Sequence, residues 1–161
     1  MAKDEAEAVR WYRKAAEQNY AFAENNLGNC LYDADGVARD RVEAVKWYSK
    51  AAEQNLAAAQ NNLGRCYDYG EGVVEDRVQA MKWYRKAAEQ NDGSAQYNLG
   101  MCYERADAGT EDWAEIYKWL SLAARQGHEG AKNYINALES KLLTPEQIAQ
   151  GQKRAGEFKP H

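Results

Sequence analysis

The chain has 161 residues, a formal net charge of −4 and a pI of about 5.3. No stretch approaches the roughly 20 apolar residues of a membrane-spanning helix, and acidic and basic residues are mixed, without the basic clusters of a phosphate-binding surface. Membrane insertion and nucleic-acid binding are therefore not expected. With only two prolines, Pro145 and Pro160, and abundant Ala, Glu, Gln, Lys and Leu, the composition favours helix throughout.

From the N-terminus, Met1-Ala2-Lys3-Asp4-Glu5 leads directly into an amphipathic helix over 4–19, so no secretory signal is read here. That helix has the sequence of the second half of a unit that recurs downstream. The lone half-unit predicts that the chain is a stretch of a longer array.

Self-similarity then dominates. Trp11, Trp47, Trp83 and Trp119 are each 36 residues apart, and Cys30, Cys66 and Cys102 keep that interval, as do Gly28, Gly64 and Gly100. Aligning 8–43 with 44–79 gives 22 identities in 36 positions, and 44–79 with 80–115 gives 19 in 36. Such a period means stacked supersecondary units that bury their apolar faces only against neighbours. Full units are read at 20–55, 56–91 and 92–127, with a partial unit at 128–142.

Each unit reads as two helices. The first, over 57–69, places Ala59, Leu63, Cys66 and Tyr67 on one stripe. The second, over 77–91, does the same with Ala80, Tyr84, Ala87 and Ala88. Gly70-Glu71-Gly72-Val73 is the turn between them, and Asp40 and Asp76 stand where N-caps belong. A glycine inside the first helix costs about 1 kcal/mol against alanine. Its recurrence at 28, 64 and 100 predicts close approach by a neighbouring helix, and the Ala-Ala pairs at 15–16, 51–52, 87–88 and 123–124 give a second thin face.

At the C-terminus, 129–139 supplies another first helix, with Ala131, Ile135 and Leu138 inward. Thr144-Pro145-Glu146-Gln147 then signals a helix start with Thr as N-cap and Pro at N1. The helix over about 145–157, within a segment read as 143–158, should cap the last repeat by burying Ile148, Ala155 and Phe158.

The combination Leu63-Gly64-x-x-Tyr67, Gly70-x-Gly72-Val73, Asp76 and Ala80-x-x-Trp83-Tyr84-x-Lys86-Ala87-Ala88, recurring in phase over 4–139, resembles the Sel1-like repeat, a relative of the tetratricopeptide repeat. The unit at 92–127 departs from it at 106–110, where Ala-Asp-Ala-Gly-Thr replaces the Gly-x-Gly-Val element at unchanged length. The resemblance implies an all-α, right-handed α-solenoid of stacked helix-turn-helix repeats with a C-terminal capping helix. It also implies a protein-binding role, since such repeats act in ER quality control in eukaryotes and in signalling or host interaction in bacteria. The terminal Thr-Pro-Glu-Gln helix resembles bacterial members.

One cysteine per unit, on the inward stripe, is read as a buried free thiol. Stacked units hold equivalent positions on the order of 10 Å apart, beyond the about 7 Å that a disulfide spans between Cα atoms. Unpaired thiols favour a reducing, cytoplasmic setting. No cofactor or metal site is read. Some members of the family are linked with β-lactam binding, but none of Ser49, Ser94, Ser121 and Ser140 precedes a lysine by three positions, so the Ser-x-x-Lys signature is missing. His128 and His161 are the only histidines. The chain is read as a non-catalytic scaffold or adaptor, monomeric in isolation. A β-lactam-binding or hydrolytic enzyme and a purely structural spacer or self-association module are the competing readings.

The family pattern places the first helix of each unit on the concave face. Without the inward Leu, Gly and Cys positions, that helix offers Asn25, Asn29, Tyr32 and Asp33 in one unit, Asn61, Arg65, Asp68 and Tyr69 in the next, and Tyr97, Met101, Glu104 and Arg105 in the third. Tyr, Arg and Met are common anchors of interfaces. Tyr32 and Tyr69 have the competing role of covering neighbouring helices, and Arg65 has Asp68 at i+3 as a candidate ion partner.

Overall fold

The computed structural model describes residues 2–105 and 112–161, so the divergent turn expected at 106–110 lies outside the described residues. All regular structure among the described residues is α-helical. The helices are α1 (Ala2–Ala16), α2 (Ala21–Asp33), α3 (Arg41–Glu53), α4 (Ala57–Tyr69), α5 (Arg77–Glu89), α6 (Gly93–Arg105), α7 (Trp113–Arg125), α8 (Glu129–Lys141) and α9 (Pro145–Glu157). The architecture is an all-α repeat solenoid. It divides within α5 into two compact units, Met1–Trp83 and Tyr84–His161.

The second helices start as their aspartates dictate. Asp40 accepts from the Glu43 amide at 2.8 Å and Asp76 from the Gln79 amide at 3.0 Å. Asp112, at the same register, caps α7 through the Glu115 amide at 3.2 Å. The first helices start differently. Asn19, Asn55, Asn91 and Gly127 take φ of 64°, 65°, 67° and 88°, all in the left-handed region. Each lets the next amide turn back onto the preceding helix: Leu56 N–H donates to Ala51 O at 3.2 Å and His128 N–H to Ala123 O at 3.1 Å. This is the six-to-one bond of a Schellman ending, which Asn and Gly favour because they tolerate positive φ.

The same ending closes α2 and α4, where Ala34 and Gly70 take φ of 69° and 65° and the next amides return to Cys30 O and Cys66 O, each at 2.9 Å. Further along the turn, Gly72 is required on two counts. Its φ is 80°, and a Cβ there would lie 2.3 Å from the Arg41 carbonyl oxygen.

In the first unit the core is built from Leu27, Leu31, Ala44, Tyr48, Ala51, Ala59, Leu63 and Cys66, all buried. Gly28 lets the Tyr48 ring in, since a Cβ there would come within 2.6 Å of Tyr48 Cε1. The expected close approach is therefore a tyrosine against a glycine. Tyr48 itself is sealed from solvent, and its hydroxyl donates to Asn29 Oδ1 at 2.9 Å. The Ala-Ala pairs lie inward, with Ala51, Ala52, Ala87 and Ala88 essentially solvent-free. Cys66 and Cys102 are buried, whereas Cys30 is only partly covered. The neighbouring α1 leaves a cavity of about 270 Å³ beside Cys30.

In the second unit, Ile116, Leu120, Ala123, Ala131 and Leu138 form a buried cluster. The terminal helix α9 packs on α7. Thr144 and Gln147 close a reciprocal capping box with Pro145 in the first turn. Gly151 lies against Tyr117, Ala155 is buried, and Phe158 meets Trp119 edge-on at 5.5 Å between centroids. Ile148 and Phe158 are half-buried, less enclosed than the apolar pattern predicts. Arg154 fastens the helix through Asp112 Oδ2 at 2.7 Å and Glu115 Oε2 at 3.3 Å.

Candidate functional site

The outward residues of α2 and α4 in the first unit sort into a sealed layer and an open one. Asn25 and Asp68, expected on the binding face, are buried instead. Asn62 donates to Asn25 Oδ1 at 3.0 Å and to Asn29 Oδ1 at 3.2 Å, so an amide ladder joins the two helices. Asn29 and Asn61 are half-buried, while Asp33 and Tyr69 are exposed, Tyr69 at 58%. Both side chains are rotated inward from the open face, and the Asn25 amide is tolerated there because Asn62 of α4 bonds to it.

Above that layer lies a cationic cluster. Tyr32 is half-buried and its hydroxyl donates to Glu71. The Arg65 guanidinium lies over the Tyr32 ring at 4.8 Å and that of Arg41 at 5.1 Å, while Arg41 also pairs with Glu71 at 3.2 Å. Burial, and then the hydrogen bond to Glu71, push the Tyr32 phenol up to about 12, so it stays neutral. Tyr32 thus does cover a neighbouring helix, but it also serves as the platform for two arginines. Arg41 and Glu71 were outside the set expected from sequence. Arg41 begins a second helix and Glu71 sits in a turn, and no period links either to Tyr32.

In the second unit the expected residues are largely engaged. Tyr97 stacks on the His128 imidazole, with centroids 4.3 Å apart and planes 21° from parallel. His128 is itself the N-cap of α8, accepting from the Ala131 amide at 3.2 Å. Met101 packs against the apolar cluster of α7 and α8. Glu104 accepts from the Tyr134 hydroxyl, and Arg105 Nε donates to Met101 O at 3.3 Å. All four are partly buried, so this surface is more self-contained than that of α4.

Cys30 and Cys66 are held as neutral thiols. Burial pushes the Cys66 thiol up to about 11, and burial followed by the charges of Asp35 and Asp33 raises Cys30 as well. A thiol rather than a thiolate is a poor nucleophile and metal ligand. Among the described residues no group of three or more His, Cys, Asp or Glu side chains is placed to hold a metal ion, and no helix is long and apolar enough to cross a membrane.

The family model described as the Sel1 repeat matches residues 1–20, 21–56, 57–92 and 93–128. Among solved structures, the chain is similar to a protective antigen of uropathogenic Escherichia coli strains displaying an SLR fold, at 33% identity and a TM-score of 0.84 over 93% of this chain. It is also similar to a Sel1 repeat protein from Oxalobacter formigenes, at 31% identity and a TM-score of 0.79 over 94% of this chain. The chain spans 32% of the length of the first and 62% of the second. No curated protein matches the chain.

Proposed function

The chain belongs to the Sel1 repeat family, and from that premise we propose that it is a non-catalytic scaffold that binds a protein or peptide through the outward face of its first helices. Sel1 repeats commonly mediate protein–protein interactions. The observation that carries the reading is the contrast between repeated inward positions and varied outward ones. Leu27, Leu63 and Leu99 are all buried at one register, while two residues further along Asn29, Arg65 and Met101 differ in every repeat. The inward set is held constant by packing, whereas in the varied set Asn29 and Met101 are engaged within the fold and Arg65 keeps a half-exposed guanidinium. Exposed Tyr69 and half-exposed Arg65 on α4 are the residue types that anchor interfaces. In this reading Asn25 and Asp68 support the face from behind and do not touch the partner.

The test is a peptide selected on the immobilised chain from a random library, then titrated against the purified protein and its R65A/Y69A variant. Loss of two or more anchors weakens binding by about a hundredfold, with helicity and Tm within a few degrees of the parent. An affinity that the double variant leaves unchanged overturns the proposal.

A further inference from the structure

Arg65 is the one outward side chain of α4 whose charge has no answering charge among the described residues. Arg41 is paired with Glu71, but Arg65 enters no ion pair with a described carboxylate and instead lies over the Tyr32 ring at 4.8 Å. Its Nε is covered and lacks a hydrogen-bond acceptor, whereas the residue as a whole is only half-buried, which leaves its terminal nitrogens as the reachable donors. The ring holds the guanidinium plane in place, so little side-chain freedom is left to lose on binding. Two guanidiniums lie over one ring, and of the two only Arg41 is ion-paired with a described carboxylate, in a chain whose net charge is −4.

This trio occurs once in the array. At the registers of Tyr32, Arg41 and Arg65 the next repeat has Asp68, Arg77 and Met101. Resting on the scaffold reading above, we propose that Arg65, held by Tyr32 and backed by Arg41, is the anchor for an acidic side chain of the partner. A carboxylate meets the two terminal nitrogens of a guanidinium with two parallel charge-assisted hydrogen bonds, which a neutral side chain does not reproduce. The occupant is an internal Asp or Glu of a peptide segment, not a chain terminus. The polar surface continues on both sides of Arg65 along α4, with Asn61 one turn before it and exposed Tyr69 one turn after.

The test uses the full chain with isotope-labelled arginine and follows the Arg65 Nε–H resonance, assigned by its loss in R65K. Three short probes are titrated: an Ala/Asn peptide capped at both ends with one central Glu, the same capped peptide with Gln, and the Gln peptide with a free C-terminal carboxylate. The Glu peptide is expected to move the Arg65 resonance saturably, to bind about tenfold tighter than the Gln peptide, and to weaken as salt rises. R65K keeps the charge but not the planar fork and should lose most of that tenfold preference. Equal response to Glu and Gln, or a Glu preference that survives in R65K, overturns the anchor. A free-terminus peptide matching the Glu peptide overturns the assignment to an internal side chain. A library-selected peptide that depends on Tyr69 but tolerates R65K would sink this inference and leave the scaffold reading standing.

Discussion

Glu24 and Gln60 occupy the same place one repeat apart, yet only Gln60 carries a donor there. Gln60 Nε2 donates to Ala52 O at 3.2 Å and to Asn55 Oδ1 at 3.0 Å, and Gln96 repeats the pattern with Ala88 O and Asn91 Oδ1, both at 3.2 Å. Glu24 is fully buried and accepts from Gln54 Nε2 at 2.6 Å through Oε2, but its Oε1 has no hydrogen-bond partner. A carboxylate therefore fills a slot that in the other two repeats uses an amide to face acceptors.

Replacing that carboxylate supplies the missing donor. Glu24→Gln is expected to stabilise the protein at neutral pH by about 1 kcal/mol, the scale of one buried hydrogen bond. Burial raises the Glu24 pKa above its ordinary value, the Lys50 charge opposing it in part. A raised folded-state pKa favours folding below the unfolded-state value of about 4.3, and that contribution is lost as pH rises through the folded-state value. The gap in Tm between variant and parent should therefore widen from pH 4 upward. A gap that is constant with pH contradicts this account.

Ala34 adopts a φ of 69° where the next repeat uses Gly70 at 65°. A Cβ in the left-handed region costs roughly 1 kcal/mol. Ala34→Gly should raise stability by about that much, and Gly70→Ala should lower it by a similar amount, because a Cβ at Gly70 meets nothing closer than 3.4 Å. Denaturant midpoints of the two variants check the opposite signs.

Gly28→Ala tests packing instead of backbone freedom. Gly28 lies within the helix α2, and the added methyl would fall 2.6 Å from Tyr48 Cε1. Overpacking of this kind costs typically 1–3 kcal/mol, so we expect a loss of about 2 kcal/mol in urea unfolding. Tyr48, hydrogen-bonded to Asn29 and closed in on all sides, has little room to retreat.

Asp112 ties the start of α7 to α9 through Arg154, and that hydrogen bond holds its carboxyl below the ordinary Asp value. A lowered folded-state pKa contributes stability above the unfolded-state value of about 3.9, lost as pH falls through the folded-state value. Asp112→Asn keeps an N-cap but removes the charge. Because both side chains are well exposed, the expected cost at neutral pH is below about 1 kcal/mol. The difference in Tm from the parent should shrink as pH falls below the unfolded-state value of about 3.9, and shrink in high salt.

The helices, their pairing, the terminal capping box and the inward positions follow from the amino-acid sequence alone, because each is set by short-range chemistry. Apolar spacing defines a stripe, Asp40 and Asp76 satisfy the amides that follow them, and a 36-residue period repeats the solution. The positive-φ residues Asn19, Asn55, Asn91 and Gly127 were legible by the same period, since they share one register. The outward face was legible only as a set of candidates. Whether Asn25 or Asn29 faces solvent depends on a rotation of α2 smaller than the helical repeat resolves, and packing against α4 buries Asn25 and leaves Asn29 half-buried, with Asn62 bonded to both. The convergence of Arg41, Arg65 and Glu71 on Tyr32 joins three helices and a turn at unrelated registers. Such a cluster arises only when the helices pack, because its energy lies in contacts between elements and leaves no local signal in any one of them.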